Sequence, residues 1–175
     1  MTGLPFLRPS PNLKDLESLF HYPGTCLFEG TALSVGRGTE FSYHQVGAPW
    51  LDAHAVLSLL PTDRLPGVQF LGVKFTPRQP ADGKYGGVEV QGIRMVLTDP
   101  KLYDPTLTAV VLLTAIRRVH PDSLAIRTAS FDRLAGGSSL REAVLAGQDP
   151  FAIVAAWKAH LTAWSQHREP VLLYR

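Results

Sequence analysis

The stretch from Tyr22 to Trp50, YPGTCLFEGTALSVGRGTEFSYHQVGAPW, limits what this chain can become. It shows little apolar periodicity, so neither an amphipathic helix nor an alternating strand accounts for it. Gly30, Gly36, Gly38 and Gly47 recur among threonines, Glu29 and Arg37 carry opposite charges, and the run closes on Gly47-Ala48-Pro49-Trp50. Such residues make a poor core. They make a good shaped loop, because glycine tolerates positive φ and lets other groups approach closely. The predicted chain is a scaffold of helices and strands around a loop that meets a ligand or another domain.

The rest of the sequence supplies that scaffold. At 175 residues it fits one domain, which buries roughly 70% of the surface of its unfolded chain. A hydrophobic fraction of 45% with 18% charged residues suits a globular protein with room for a covered face. The net charge of +2 and the absence of a block of basic residues give no footprint for nucleic acid. Cys26 is the only cysteine, so neither an internal disulfide nor a cysteine-based zinc site is available. No apolar run reaches membrane-spanning length. The N-terminus lacks the pattern of a secretory signal, and nothing else in the sequence sets a compartment.

Three prolines within residues 1–12 favour extended backbone and predict an arm or linker tail, with the domain proper over 13–175. A helix capped by Asn12 would then place Leu13, Leu16 and Phe20 on one face and stop at Tyr22-Pro23-Gly24. Thr25–Phe28 reads as a short strand with Glu29 at its end. A helix near 52–60 begins at Asp52, where a carboxylate suits the dipole. Strands are predicted over Val68–Phe75 and Val88–Thr98, the latter bulged at Gly92, with a Pro/Gly-rich loop between them. A strongly apolar helix runs from Pro105 or Thr106 to about Arg118. Leu124–Thr128 reads as a strand. Ser139-Leu-Arg-Glu142 has the capping-box pattern, with Gly147 placed to end that helix. Asp149-Pro150 opens a last helix with Phe151, Val154, Trp157, Leu161 and Trp164 along one stripe, before a terminal strand over Val171–Tyr174. Strands and helices alternate irregularly, which predicts a compact α/β (α+β) domain with a mixed β-sheet packed by helices.

Glu29 is the leading candidate for chemistry. A carboxylate there can hold or protonate a polar substrate, as carboxylates do in glycoside hydrolysis, or it can pair with Arg37 and brace its own loop. Arg37 can fork onto a carboxylate or sugar oxygens, or close that same loop. Thr31, Ser34 and Thr39 offer hydroxyls either to a sugar or to local backbone. Trp50 can stack on a sugar ring or plug the core. The histidines show neither HExxH nor a His pair at i,i+4, so no metal site is expected. Without a G-x-S-x-G elbow, a serine triad has no anchor.

These residues also fall in a known order. Arg8-Pro-Ser-Pro-Asn12, Tyr22-Pro-Gly24, Phe28-Glu-Gly-Thr31, Gly36-Arg-Gly-Thr39 and Gly47-Ala-Pro-Trp50 resemble the NamZ-type exo-β-N-acetylmuramidases, long catalogued as a domain of unknown function. Gly92-Ile, Thr98-Asp99, Phe131-Asp132, Gly136, Gly147, Trp157 and Leu172-Leu173-Tyr174 extend the resemblance over nearly the whole chain, which corresponds to the C-terminal half of the usual family protein. The resemblance implies an N-terminal Rossmann-like half, present in cis or trans, with the active-site cleft between the halves. It implies release of terminal N-acetylmuramic acid from peptidoglycan fragments without a cofactor, by proteins often exported to the cell envelope. The main catalytic acids would lie on the N-terminal half. Glu29, Gly30, Thr31, Ser34, Arg37, Gly38, Thr39 and Trp50 would line this side, with Glu29 the one candidate for a catalytic role. Ala32 and Val35 stand where the family usually has Asn and Glu, and the cysteine before the later Gly-Ile pair is missing. A non-catalytic carbohydrate-binding or partner-docking module is the alternative. A self-sufficient enzyme would need Asp52 or Glu40 opposite Glu29.

Overall fold

The computed structural model describes residues 5–173. An α/β (α+β) domain forms, as the sequence predicts. Its sheet, expected to be mixed, is antiparallel at both pairings among the described residues. β1 (Gln45–Ala48), β2 (Val68–Phe75) and β3 (Val90–Leu97) lie in the order β1-β3-β2. β3 pairs Arg94 with Gln45 on one side and Leu71 on the other. Gly92 makes no bulge, because it stays in register with both Gly47 and Val73. Its role is space: a Cβ there would lie 2.7 Å from Cε1 of Phe75 and 2.6 Å from the Val46 carbonyl oxygen.

The core is organised by α3 (Pro105–Val119). Asp104 caps it by accepting from the Thr106 and Leu107 N–H groups, and Arg117 and Arg118 occupy its last turn. Val110, Leu112, Leu113 and Ile116 are fully buried, which requires neighbours on more than one side. Those neighbours are α1 (Leu16–Thr25), α2 (Ala53–Ser58), α5 (Ser139–Leu145) and α6 (Pro150–Ala156). α2 also packs on β2 and β3 and takes Asp52 as its N-cap.

Helix α1 departs most from expectation. Its cap is Asp15, not Asn12, with Oδ1 accepting from the Ser18 N–H at 2.7 Å. It runs through Pro23 and Gly24 and passes directly into a 3-10 turn, Cys26–Gly30, so the predicted strand over Thr25–Phe28 does not form. Gly24 is a crossing point rather than a stop: a Cβ there would sit 2.0 Å from the carbonyl oxygen of Pro105. The inward residues are Ser18, His21, Gly24 and Thr25, while Leu16 is 58% exposed and Phe20 36%. Apolar spacing could not reveal a helix that buries its polar side.

Other differences follow from what each segment finds to pair with. Leu124–Thr128 yields one bridge, Ile126 to Thr31, and then α4 (Thr128–Ala135) begins. α4 buries Phe131 against Gly30, where any side chain would collide with the Phe131 backbone. Arg141 and Asp132 join α5 to α4 by paired bonds of 2.8 and 2.9 Å. The capping box at Ser139 does not close: Ser138 takes the cap position without a side-chain bond, and Gly147 ends the segment at φ 68°. The last helix breaks at Trp157 into α6 and α7 (Lys158–Arg168). Phe151, Val154 and Trp157 pack on the core, but Leu161 and Trp164 are 58% and 59% exposed. Glu169–Val171 is a 3-10 turn in place of the predicted strand, whose Tyr174 lies outside the described residues. Within 5–12 the chain is irregular, with a Ser10–Leu13 bridge and an Arg8 side-chain bond to the Lys14 carbonyl.

Candidate functional site

The loop after the 3-10 turn folds back on that turn and brings three donors from two side chains to one carboxylate oxygen. Oε1 of Glu29 accepts from Arg37 Nε at 3.1 Å, from Arg37 Nη2 at 2.5 Å, and from the Tyr43 hydroxyl. Arg37 Nη2 also donates to the Tyr43 hydroxyl at 2.6 Å. Gly36 and Gly38, at φ 74° and 78°, make the turn that presents Arg37. Tyr43 itself sits at φ 67°, unusual for an aromatic residue, and its buried ring meets Tyr22 edge-on at 4.9 Å. The Glu29 and Arg37 side chains are 25% and 21% exposed, so the pair lies at the surface.

Electrostatics keep Tyr43 and Arg37 each in one state. Burial raises the Tyr43 pKa, and the bond to Glu29 and its charge raise it further, so the phenol stays protonated and donates. Burial works against charge on Arg37, but Glu29 and Tyr43 outweigh it and hold the guanidinium above its ordinary pKa.

Lys84 supports the turn from below. Its ammonium, on a residue only 8% exposed, donates to the carbonyls of Leu33 at 2.8 Å, Glu29 at 3.1 Å and Phe28 at 3.4 Å. Burial pushes its pKa down to about 8, partly offset by Asp82. Tyr85 donates to the Ala32 carbonyl at 2.8 Å, and the Arg78 N–H bonds to the Gly38 carbonyl at 2.9 Å. The Pro/Gly-rich loop 76–87, legible in sequence only as a connection, is thus the bed on which the motif loop rests.

The remaining candidates serve the loop's shape. Thr31 donates to the Phe28 carbonyl and accepts from Leu33 N–H, and Ser34 accepts from Gly36 N–H; both are fully buried. Thr39 donates to the Gly36 carbonyl and accepts from Phe41 N–H and from Gln45 Nε2. Gln45 in turn accepts from Arg94 through two bonds, which ties the loop to β1 and β3. Gly30 provides contact with α4, and Gly38 provides contact with Arg78. Trp50 packs against the core and meets His120 edge-on at 5.2 Å, away from the Glu29 bonding network. Asp52 is occupied as the cap of α2, and Glu40 is exposed. Sequence reasoning missed Tyr43 and Lys84. Tyr43 precedes His44 without a pattern of its own, and a single lysine in a glycine-rich loop carries no spacing signal.

The comparisons agree with this architecture. Residues 20–174 match the family described as "Exo-beta-N-acetylmuramidase NamZ, C-terminal". The "Peptidoglycan beta-N-acetylmuramidase NamZ" of Bacillus subtilis (strain 168) is 33% identical over 174 residues, covering 99% of this chain and 41% of that protein. The chain therefore spans less than half the length of this relative. A crystal structure of a DUF1343 family protein from Bacteroides fragilis NCTC 9343 superposes with a TM-score of 0.84 at 20% identity, covering 99% of this chain and 46% of that one. A second from the same organism gives 0.74 at 26% identity, covering 96% and 44%.

Proposed function

The chain belongs to the family of C-terminal domains of NamZ-type exo-β-N-acetylmuramidases, and on that premise we propose that it forms one wall of a muramidase's substrate cleft. The observation that carries the reading is the partly exposed pair of Glu29 and Arg37, backed by the buried Tyr43, on a turn pinned by Lys84. The relative from Bacillus subtilis is named for action on peptidoglycan β-N-acetylmuramides. N-acetylmuramic acid carries a lactyl carboxylate, and a guanidinium fork is suited to it. Arg37 would take that group while Glu29 bonds sugar hydroxyls, and the buried Tyr43 would hold the pair in place. Gly30, Thr31, Ser34, Gly38 and Thr39 would hold the wall's outline. The principal acids would come from a Rossmann-like N-terminal half. α7 and the segment after it offer such a half an uncovered apolar face, with Leu161, Trp164, Val171 and Leu173 exposed.

A second reading has its own support. Three donors converge on Glu29 Oε1, which suits a carboxylate that binds or braces better than one that delivers a proton. On that reading the domain binds carbohydrate or docks a partner without catalysis. A chimera separates the two. This sequence replaces the C-terminal region of the Bacillus subtilis relative, and release of a chromogenic N-acetylmuramide is followed. The isolated chain should release nothing, the chimera should turn over, and Glu29→Gln should lower its kcat/KM at least ~10-fold. Turnover by the pure isolated chain, or unaltered kinetics in the Glu29→Gln chimera, would discard the assignment.

A further inference from the structure

On the far side of His44 lies a polar cluster that the muramidase reading does not use. Glu17 and His21 stand one turn apart on α1, and His44 follows Tyr43 just before β1. Oε1 of Glu17 is 3.3 Å from His21 Nε2 and 3.7 Å from His44 Nδ1. One ligand atom from each of the three lies within 4.8 Å of the others. Both imidazoles are buried, at 0% and 5% exposure, while the Glu17 side chain is 37% exposed.

The outer nitrogens are already committed. His44 Nε2 is 3.0 Å from Oδ1 of Asp15, and His21 Nδ1 is 2.8 Å from the Tyr103 hydroxyl. The carboxylate of Asp15 fixes the proton of His44 on Nε2, which leaves Nδ1 as a lone pair directed at Glu17. A separation of 3.7 Å is too long for a hydrogen bond between those two atoms. A phenol either donates or accepts, so His21 can keep its proton on Nδ1 and present Nε2 inward.

We propose that Glu17, His21 and His44 form a site for one divalent transition-metal ion of the Zn2+ type. Metal–ligand lengths of about 2.0–2.2 Å place neighbouring tetrahedral ligand atoms about 3.3–3.6 Å apart, and two of the separations here are 3.3 and 3.7 Å. Two imidazoles and one carboxylate select Zn2+, Co2+ or Ni2+ over Mg2+ or Ca2+. Asp15 and Tyr103 orient the ligands from behind. The fourth position opens toward solvent beside Glu17. Because Glu17 Oε1 also accepts from the Leu97 N–H at 2.9 Å, the ion braces α1 against β1 and β3.

The test uses the whole 175-residue chain with Zn2+ by calorimetry and Co2+ as a spectroscopic and paramagnetic probe. One ion should bind per chain. Co2+ should broaden the imidazole NMR signals of His21 and His44 in the wild-type protein and spare those of His54, His120, His160 and His167. Glu17→Gln and His44→Gln should each weaken binding at least ~10-fold. Asp15→Asn retains a helix-capping side chain and should weaken it by about 10-fold through His44 alone. No uptake of either ion, broadening centred on other histidines, or equal affinity in Glu17→Gln and His44→Gln would overturn the site. The broadening pattern decides the matter even where a variant fails to fold.

Discussion

Lys84 shows how one side chain can hold a motif it does not belong to. Its ammonium bonds three carbonyls of the Phe28–Leu33 segment from beneath. Lys84→Met keeps the stem but leaves those acceptors facing an apolar group, and should cost about 3 kcal/mol in urea unfolding. The amine should also titrate near pH 8 in the folded chain, read from its 13Cε shift. The sign follows from linkage. A lysine whose folded pKa lies below its unfolded one sheds its proton first in the native state. The unfolded chain therefore binds more protons between about pH 8 and 10.5, and this group's contribution to stability rises with pH across that window. Glu29 and Arg37 were legible as a pair because glycines frame Arg37 and the spacing is short. Tyr43 and Lys84 were not, because their roles depend on two loops meeting.

At the scale of elements, contact decided more than propensity. The sequence suggested that α1 would stop at Tyr22-Pro23-Gly24, yet the helix continues because Gly24 lets it lie against the start of α3. Gly24→Ala would drive a methyl into the Pro105 carbonyl and should cost about 3 kcal/mol, measured as a lowered urea midpoint with an unchanged m-value. The β2 and β3 strands and α3 were readable, since alternation and a long apolar run bounded by Asp-Pro leave few alternatives. α4 was hidden: Thr128–Ala135 holds a single fully buried apolar residue, Phe131, and its position follows from Gly30 in a distant turn.

For the whole molecule, α7 stands apart from the rest. It buries none of its residues, and its main contacts are with α6 and the 3-10 turn after it. Ending the chain after Trp157 should therefore change stability by less than about 1 kcal/mol, seen as a nearly constant urea midpoint. The stripe from Phe151 to Trp164 had the right period for a buried helix, but the core ends at its midpoint. The acid and base of the motif loop have a further consequence for recognition at a distance. Glu29 and Arg37 cancel each other before any ligand arrives, so together they cast little field into solvent. On the proposed reading, a sugar acid would reach them by unsteered diffusion, its on-rate should stay level as ionic strength rises, and discrimination would reside in how slowly it leaves.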